Sequence, residues 1–353
     1  MIAKISTKYN TILITGGAGF IGGNLVNELL LSSNSKIINV DKIGYASDIN
    51  KIEIIKKKLG SEFQKRYELI KLNLKNQDVL VPILNKYQPD LIFNLAAESH
   101  VDKSIINPLD FIESNIMGTF NLLESVKSYL KKFPDKNNNF KLIHISTDEV
   151  FGSLGNNGLF NENSQYKPNS PYSASKASSD HLVRAWQKTY KIPAIITNCS
   201  NNFGPWQYPE KLIPLTITRA CKLEPIKIYG DGENIRDWIY VLDHIDGLIS
   251  VANYGRKGET YCIGSNNRIS NNDLVEKICK ILDNLKPHNK PHSKLINYVP
   301  DRPGHDYRYA LDANFIKKAI GWESKFNFEE TLKLTVEWYL NNQEWSKNLL
   351  KVK

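Results

Sequence analysis

The chain has 353 residues, 41% hydrophobic and 24% charged, with 15 Pro and 20 Gly. At about 150 residues per domain this length points to roughly two domains, and the composition excludes collagen, low-complexity and wholly disordered classes. The net charge of +9 is spread in short groups such as Lys56-Lys57-Lys58 and Lys131-Lys132, a pattern that fits a solvated surface or an anionic small ligand and excludes a nucleic-acid partner.

Taken in chain order, the first apolar run (12–15) breaks into glycines too soon for a signal peptide. No stretch approaches the ~18 apolar residues of a membrane span, so a cytoplasmic protein with no membrane partner is expected. Short β-branched runs at 12–15, 37–41, 67–73, 91–96, 142–146 and 194–199 read as buried strands. Helix-period segments at 21–31, 78–87, 111–130 and 172–190 lie between them. Such alternation predicts right-handed βαβ units and a parallel sheet covered on both faces.

Beyond residue 200, Pro205, Pro209, Pro214 and Pro225 punctuate shorter elements. A strand at 238–241 and a helix at 243–254 are expected to return to the sheet. Helical patterns at 271–285 and 328–339 belong to a smaller α/β lobe. The predicted division is therefore a doubly wound domain over 1–200 with 236–260 returning to it, and a lobe from 201–235 and 261–353. The cysteines (Cys199, Cys221, Cys262, Cys279) stand alone, as do His100, His144, His181, His244 and His305. Neither disulfides nor a metal site is predicted.

Thr15-Gly16-Gly17-Ala18-Gly19-Phe20-Ile21-Gly22 follows the first strand and opens the first helix. Glycine permits the tight turn and close backbone approach, and the helix N-terminus offers free N–H groups to a pyrophosphate. Asp41 ends the next strand about 20 positions beyond Gly22, where a carboxylate holds the ribose 2′-hydroxyl of a dinucleotide. It would repel a 2′-phosphate, which favours NAD over NADP. The fold class is thus α/β: a Rossmann-type doubly wound parallel sheet with a smaller C-terminal α/β substrate-binding lobe.

Tyr172 and Lys176 are spaced i, i+4 on a predicted helix, one turn apart on one face. An ammonium there draws the phenol toward its ionised form, making a general base for a hydroxyl. Tyr67 and Lys71 share the spacing but sit in a predicted strand, where four residues span about 13 Å. The strand 142–146 runs into Thr147-Asp148-Glu149, placing a hydroxyl and two carboxyls at the sheet edge where open α/β sheets bind ligands.

These features resemble the extended short-chain dehydrogenase/reductases, and within them the dTDP-glucose 4,6-dehydratases. The stretches TGGAGFIGG, NLAAESHVDKSI, ISTDEVFG, PYSASKASSDHLVRAW, TNCSNNFGP, PEKLIP, IRDWIYVLDH and DRPGHDYRYALD run in family order. The resemblance implies a tightly bound NAD recycled within each turnover. Tyr172, Lys176 and Thr147 would serve oxidation at C4, Glu149 would remove the C5 proton, and Asp148 would protonate the departing C6 hydroxyl. It also implies cofactor contacts at Gly16, Gly19, Phe20, Ile21, Gly22, Asp41, Lys42, Asn73, Leu74, Ala96, Ala97, Ser114, Tyr172, Lys176 and Asn202. For the nucleoside-diphosphate glucose it implies Ser99, Thr147, Asn201, Lys211, Leu212, Arg236, Asn271, Arg302 and His305.

A homodimer through a four-helix bundle built by 111–130 and 172–190 is a further implication. The resemblance departs from the family pattern at Asn73, Gly44, Phe151 and Cys262, where Asp, Thr, Tyr and Asn are usual. Open alternatives are a UDP-glucose 4,6-dehydratase and a related nucleotide-sugar epimerase or decarboxylase. Asp148-Glu149 argues against the last two, since epimerases share the Tyr and Lys but lack the acidic pair.

Overall fold

The computed structural model describes residues 2–76 and 78–351. The β-branched runs become β1 (Thr11–Thr15), β2 (Lys36–Asp41), β3 (Tyr67–Lys71), β4 (Leu91–Asn94), β5 (Lys141–Thr147) and β6 (Ala194–Cys199). Every residue of β4, β5 and β6 is buried, as strands covered on both faces must be. Between them run α1 (Phe20–Ser32), α2 (Asn50–Leu59), α3 (Ser61–Arg66), α4 (Val81–Tyr87), α5 (Val101–Ile106), α6 (Pro108–Phe111), α7 (Gly118–Lys132) and α8 (Pro171–Tyr190).

The second half adds β7 (Asn201–Phe203), α9 (Leu212–Cys221), β8 (Ile226–Tyr229), β9 (Ile235–Tyr240), α10 (Val241–Tyr254), β10 (Thr260–Ile263) and β11 (Arg268–Ser270). It closes with α11 (Asn271–Leu285), β12 (Ile296–Val299), α12 (Asn314–Ile320), α13 (Phe328–Asn341) and α14 (Gln343–Lys351). The main sheet has seven parallel strands in the order β3-β2-β1-β4-β5-β6-β10. Its winding reverses between β1 and β4, and ligands bind at such a switch point, outside the C-terminal strand ends.

Strand alternation splits the core into two layers. Ile12, Ile14 and Phe93 pack with Leu25, Val26 and Leu29 of α1 and Ile245, Leu248 and Ile249 of α10. Leu13, Ile38, Ile92 and Leu142 face Leu84 of α4, Leu122 and Val126 of α7, and Val183 of α8. Each such side chain contributes roughly 1.5–3 kcal/mol on burial. The lobe has its own core, in which Phe203, Ile213, Trp238, Leu274, Ile278 and Leu332 meet.

Four elements differ from expectation. The strand expected at 238–241 does not return to the main sheet: β9 pairs with β7 in parallel and with β11 antiparallel. The edge position goes to β10, across the boundary expected at 260, whereas α10 does pack on the main sheet. The helix at 78–87 begins only at Val81, because Pro82 belongs in a first turn where its missing N–H costs nothing. The continuous helix at 111–130 is interrupted by a π-helical turn, Ile112–Met117, whose Asn115 carbonyl accepts from Ser179 Oγ of α8 at 2.7 Å. Wide turns of this kind are frequent at functional sites.

Candidate active site

At the C-terminal end of β1 the chain turns through Gly16, at φ +74°. A Cβ there would lie 2.7 Å from the Ala96 nitrogen, and one on Gly22 only 2.2 Å from the Gly16 carbonyl oxygen. Loop, strand and helix therefore approach more closely than any side chain permits. Gly19 caps α1 without a side chain, leaving first-turn N–H groups around Phe20 and Ile21 for an anion. Asp41 accepts from the Ala18 N–H at 2.9 Å through one oxygen, and from the Ile43 N–H (2.7 Å) and Ser47 Oγ (3.1 Å) through the other. A carboxylate has about four acceptor sites, so one more donor is accommodated.

Around this cradle, Ala96 donates its N–H to Thr15 Oγ1 at 3.2 Å, partly exposed Ala97 follows it, and Lys42 is ion-paired with Glu98. Other expected cofactor residues are turned toward the protein. Asn73 accepts from the Lys75 N–H of its own turn, and Leu74 is buried with its carbonyl bonded to Asn121. Asn202 spends its amide on Ser200 and His244. Ser114 lies partly exposed in the π turn. Lys51, to which no sequence motif points, is 2% exposed and donates to the Gly19 carbonyl at 2.9 Å. Burial pulls its ammonium down to about 7 against the opposing charges of Asp48 and Asp41.

Thr147, the last residue of β5, caps a short 3₁₀ turn, its hydroxyl accepting from the Glu149 N–H at 3.3 Å. Opposite it, Ser170 and Ser173 form a reciprocal capping box and Pro171 opens α8, which places Tyr172 in its first turn. Tyr172 is buried against the edge of Phe111. Lys176, one turn on, donates to the Ile145 carbonyl at 2.7 Å.

Burial, then Glu149 and Asp237, pushes the Asp148 carboxyl well above the usual range, which favours its protonated form. Burial also raises Glu149, which is partly exposed; Arg302, Lys211 and Arg236 oppose that rise. Burial and the negative charges of Glu149 and Cys199 hold the Tyr172 phenol well above its usual value, with Thr147 opposing. The ammonium of Lys176, directed at Ile145, does not outweigh them.

The basic side chains converge from the lobe. Lys211, at the start of α9 beside Leu212, reaches across to the Ser99 carbonyl at 2.6 Å. Arg236 lies over the Tyr309 ring at 4.2 Å and donates to the carbonyls of Ile235, Tyr307 and Asp306. His305 Nδ1 lies 2.6 Å from Asp301. Asn271 starts α11 next to Arg236's strand, its N–H on the Asn234 carbonyl. Asp148 Oδ2, Asn201 Oδ1 and Arg302 Nε are buried without hydrogen-bond partners. Buried polar atoms are ordinarily satisfied, so these three are free to meet a polar ligand.

Residues 13–335 match the family model described as GDP-mannose 4,6 dehydratase. A dTDP-glucose 4,6-dehydratase of Salmonella typhimurium is 47% identical over 348 residues, covering 96% of this chain and 95% of the relative. The solved dTDP-glucose 4,6-dehydratase of Bacillus anthracis, in complex with NAD, superposes with a TM-score of 0.83 at 42% identity, covering 96% of this chain and 99% of that one. That of Streptomyces venezuelae, with NAD and TYD bound, gives 0.86 at 36% identity over the same shares. With the Thr147-Asp148-Glu149 turn facing Tyr172 and Lys176, and with identity near one half along almost its whole length, the chain belongs to the dTDP-glucose 4,6-dehydratase family.

Proposed function

We propose that the chain is a hydro-lyase that dehydrates dTDP-glucose to dTDP-4-keto-6-deoxyglucose in deoxysugar synthesis. The observation that carries this reading is the pair of carboxyls at the end of β5: Asp148 held strongly toward its protonated form, and Glu149 opposed by three cations. Such a split assigns an acid and a base to neighbouring carbons.

The cradle of Gly16, Gly19 and Gly22, with Asp41 and Lys42 beside it, fits NAD. NAD bound there supplies the acceptor that takes a hydride and returns it within one turnover. Phe20, Ile21, Ala96 and Ala97 line that crevice, and Asn73, Leu74, Ser114 and Asn202 complete the proposed contacts. Tyr172 takes the proton of the C4 hydroxyl, which Thr147 orients, while Lys176 supports the phenolate one turn away. The C4 ketone acidifies C5–H, Glu149 removes that proton, and Asp148 gives its own to the departing C6 hydroxyl. Lys211, Arg236, Arg302 and His305 receive the diphosphate, and Ser99, Asn201, Leu212 and Asn271 the rest of the nucleotide sugar.

The cofactor half comprises 1–200 with α10 and β10, the lobe the rest. We place the enzyme in the cytoplasm, a reading supported by free cysteines at Cys199, Cys221, Cys262 and Cys279. Among the described residues, no helix is long and apolar enough to cross a membrane. A homodimer through a four-helix bundle of 111–130 and 172–190 is supported by exposed Ile112 and Met117 of the π-helical turn in the first segment, and by exposed Ile106 of α5 and Leu109 of α6, two helices that contact α8.

The test is separate incubation with dTDP-glucose and UDP-glucose, followed by mass detection. Loss of one water from the dTDP sugar over many turnovers, with no reduced cofactor accumulating, is expected. Appearance of a C4 epimer of unchanged mass would overturn the reading in favour of an epimerase.

A further inference from the structure

A line of buried polar side chains runs beneath the site, across three strands of the main sheet. Thr15, the residue before the glycine loop, accepts from the Ala96 N–H at 3.2 Å and donates to Asn94 Oδ1 at 2.6 Å. Asn94 Nδ2 lies 2.9 Å from His144 Nδ1, and His144 Nε2 lies 3.2 Å from Asp180 Oδ1. The second oxygen of Asp180 accepts from Ser146 Oγ (2.7 Å) and from Tyr166 OH (2.8 Å), which itself accepts from Arg184. Thr15, Asp180 and His144 are at most 1% exposed. Asp180 stands one helical turn beyond Lys176 on α8, on the same face.

The direction of each hydrogen bond is fixed by its neighbours. An Asn amide nitrogen only donates, so His144 Nδ1 accepts, and the ring proton is left on Nε2, facing the carboxylate. The donors of Thr15 and Asn94 therefore point from the cofactor loop toward His144, whose Nε2 meets Asp180 Oδ1 at ion-pair distance without hydrogen-bond alignment. Burial keeps His144 neutral, and His144, Lys176 and Ser146 hold Asp180 ionised despite its own burial. The titratable and charged groups facing this anion are Lys176 and Arg184 of α8, Tyr166 of the preceding loop and His144 of β5. Cys199 of β6 also lies near Lys176.

We propose that Asp180, oriented by His144, is a positioning residue that keeps the buried Lys176 ammonium charged and in register with the glycine loop. The proposal rests on the dehydratase reading, in which Lys176 must be cationic to support Tyr172. A buried lysine with no anion nearby gives up its proton, because low dielectric disfavours the charged form. Asp180 supplies an anion one helical turn from Lys176, and the line through His144, Asn94 and Thr15 ties that anion to the strand that runs into Gly16.

Three measurements test this. In ¹⁵N-histidine-labelled protein, His144 should be the neutral Nε2–H tautomer across neutral pH. A protonated ring or the Nδ1–H tautomer overturns the proposal without any mutation. In protein with labelled lysines, assigned through Lys176→Arg, the Lys176 ammonium should titrate at lower pH in Asp180→Asn than in wild type, by about one unit or more. The alkaline limb of the single-turnover oxidation should move down by the same amount, with KM little changed. His144→Gln, which can still accept from Asn94 and donate to Asp180, should keep the wild-type limb, whereas His144→Leu should shift it downward. An unmoved Lys176 titration, or a rate lost only in proportion to folded protein, overturns the role. The two resonance measurements need no turnover, so they stand even if dTDP-glucose is not dehydrated.

Discussion

Arg302 Nη1 lies 3.1 Å from Asp102 Oδ1, joining the lobe to α5 across the cleft. Tyr229 OH donates to the other Asp102 oxygen at 3.1 Å, and Arg302 Nε is left without a partner. If Arg302 receives the diphosphate as proposed, one of its donors is already engaged by a carboxylate of the protein, whose charge competes with the phosphate, while Nε stays free to meet it.

Both side chains are partly exposed, at 21% and 34%, and such a pair is worth about 0–1 kcal/mol. Asp102→Asn removes the competing charge and leaves Tyr229 an acceptor. By calorimetry at low salt, dTDP should bind the variant up to about fivefold more tightly, and the gain should shrink as salt rises. Weaker binding would show that Asp102 serves the substrate directly.

Lys51 gives a pH-dependent prediction. Its ammonium is depressed from 10.5 to about 7 in the folded protein, so above pH 7 the unfolded chain binds the extra proton and stability rises with pH until the unfolded lysine titrates. Below pH 7 the full cost of burying the charge is present, on the order of several kcal/mol. Lys51→Met should therefore raise the unfolding midpoint at pH 6–7, with the gain fading toward pH 10. A midpoint lowered throughout that range would mean that the bond to the Gly19 carbonyl outweighs the burial of charge.

What could be read from the sequence divides along physical lines. The glycine loop, Asp41 and the Tyr172–Lys176 pair are local: each is a spacing on one element, and the strand or helix that realises it follows from a short window. The seventh strand was not legible, because Thr260–Ile263 is four residues long and its pairing with Ala194–Cys199 is set by tertiary contact. The partners of Asp180 were equally hidden, since Asn94, His144 and Asp180 meet only through strand order, although Asp180 four residues past Lys176 was a visible signal. Lys51 escaped because a lysine in a Lys-rich helix carries no mark of burial until the fold covers it.

If Asp41 holds the cofactor ribose as proposed, cofactor choice follows from it. Its carboxylate already receives the Ala18 N–H of the glycine loop, which orients it for a ribose hydroxyl and against a phosphate. Cofactor-stripped wild type should bind NAD far better than NADP by fluorescence titration. Asp41→Ala should lose NAD affinity and narrow the gap. Equal wild-type affinities would remove Asp41 from the selection.

On the proposed mechanism the catalytic groups should fail at different steps, because oxidation and elimination ask for different protons. Tyr172→Phe removes the phenolic oxygen that receives the C4 hydroxyl proton, so neither reduced-nicotinamide absorbance nor water loss should appear in a single turnover. Glu149→Gln keeps the size and polarity of a group that faces Arg302, Lys211 and Arg236 but cannot accept C5–H. It should still show the absorbance rise and the 4-keto sugar while dehydration falls by about 10²–10⁴-fold, the scale of a lost general base. Asp148→Asn leaves Glu149 working, so C5–H should exchange with solvent deuterium faster than water departs. The pH profile carries the same logic. Glu149 must be ionised to act and burial raises it, so the acid limb of wild-type dehydration should lie above the ordinary glutamate value of about 4.3. Asp148 must be protonated to act and burial raises its carboxyl well above the ordinary range, so the alkaline limb of dehydration should lie above that of an ordinary carboxyl. If Glu149→Gln dehydrates at nearly the wild-type rate, the base is another group and the division of labour between the two carboxyls is wrong.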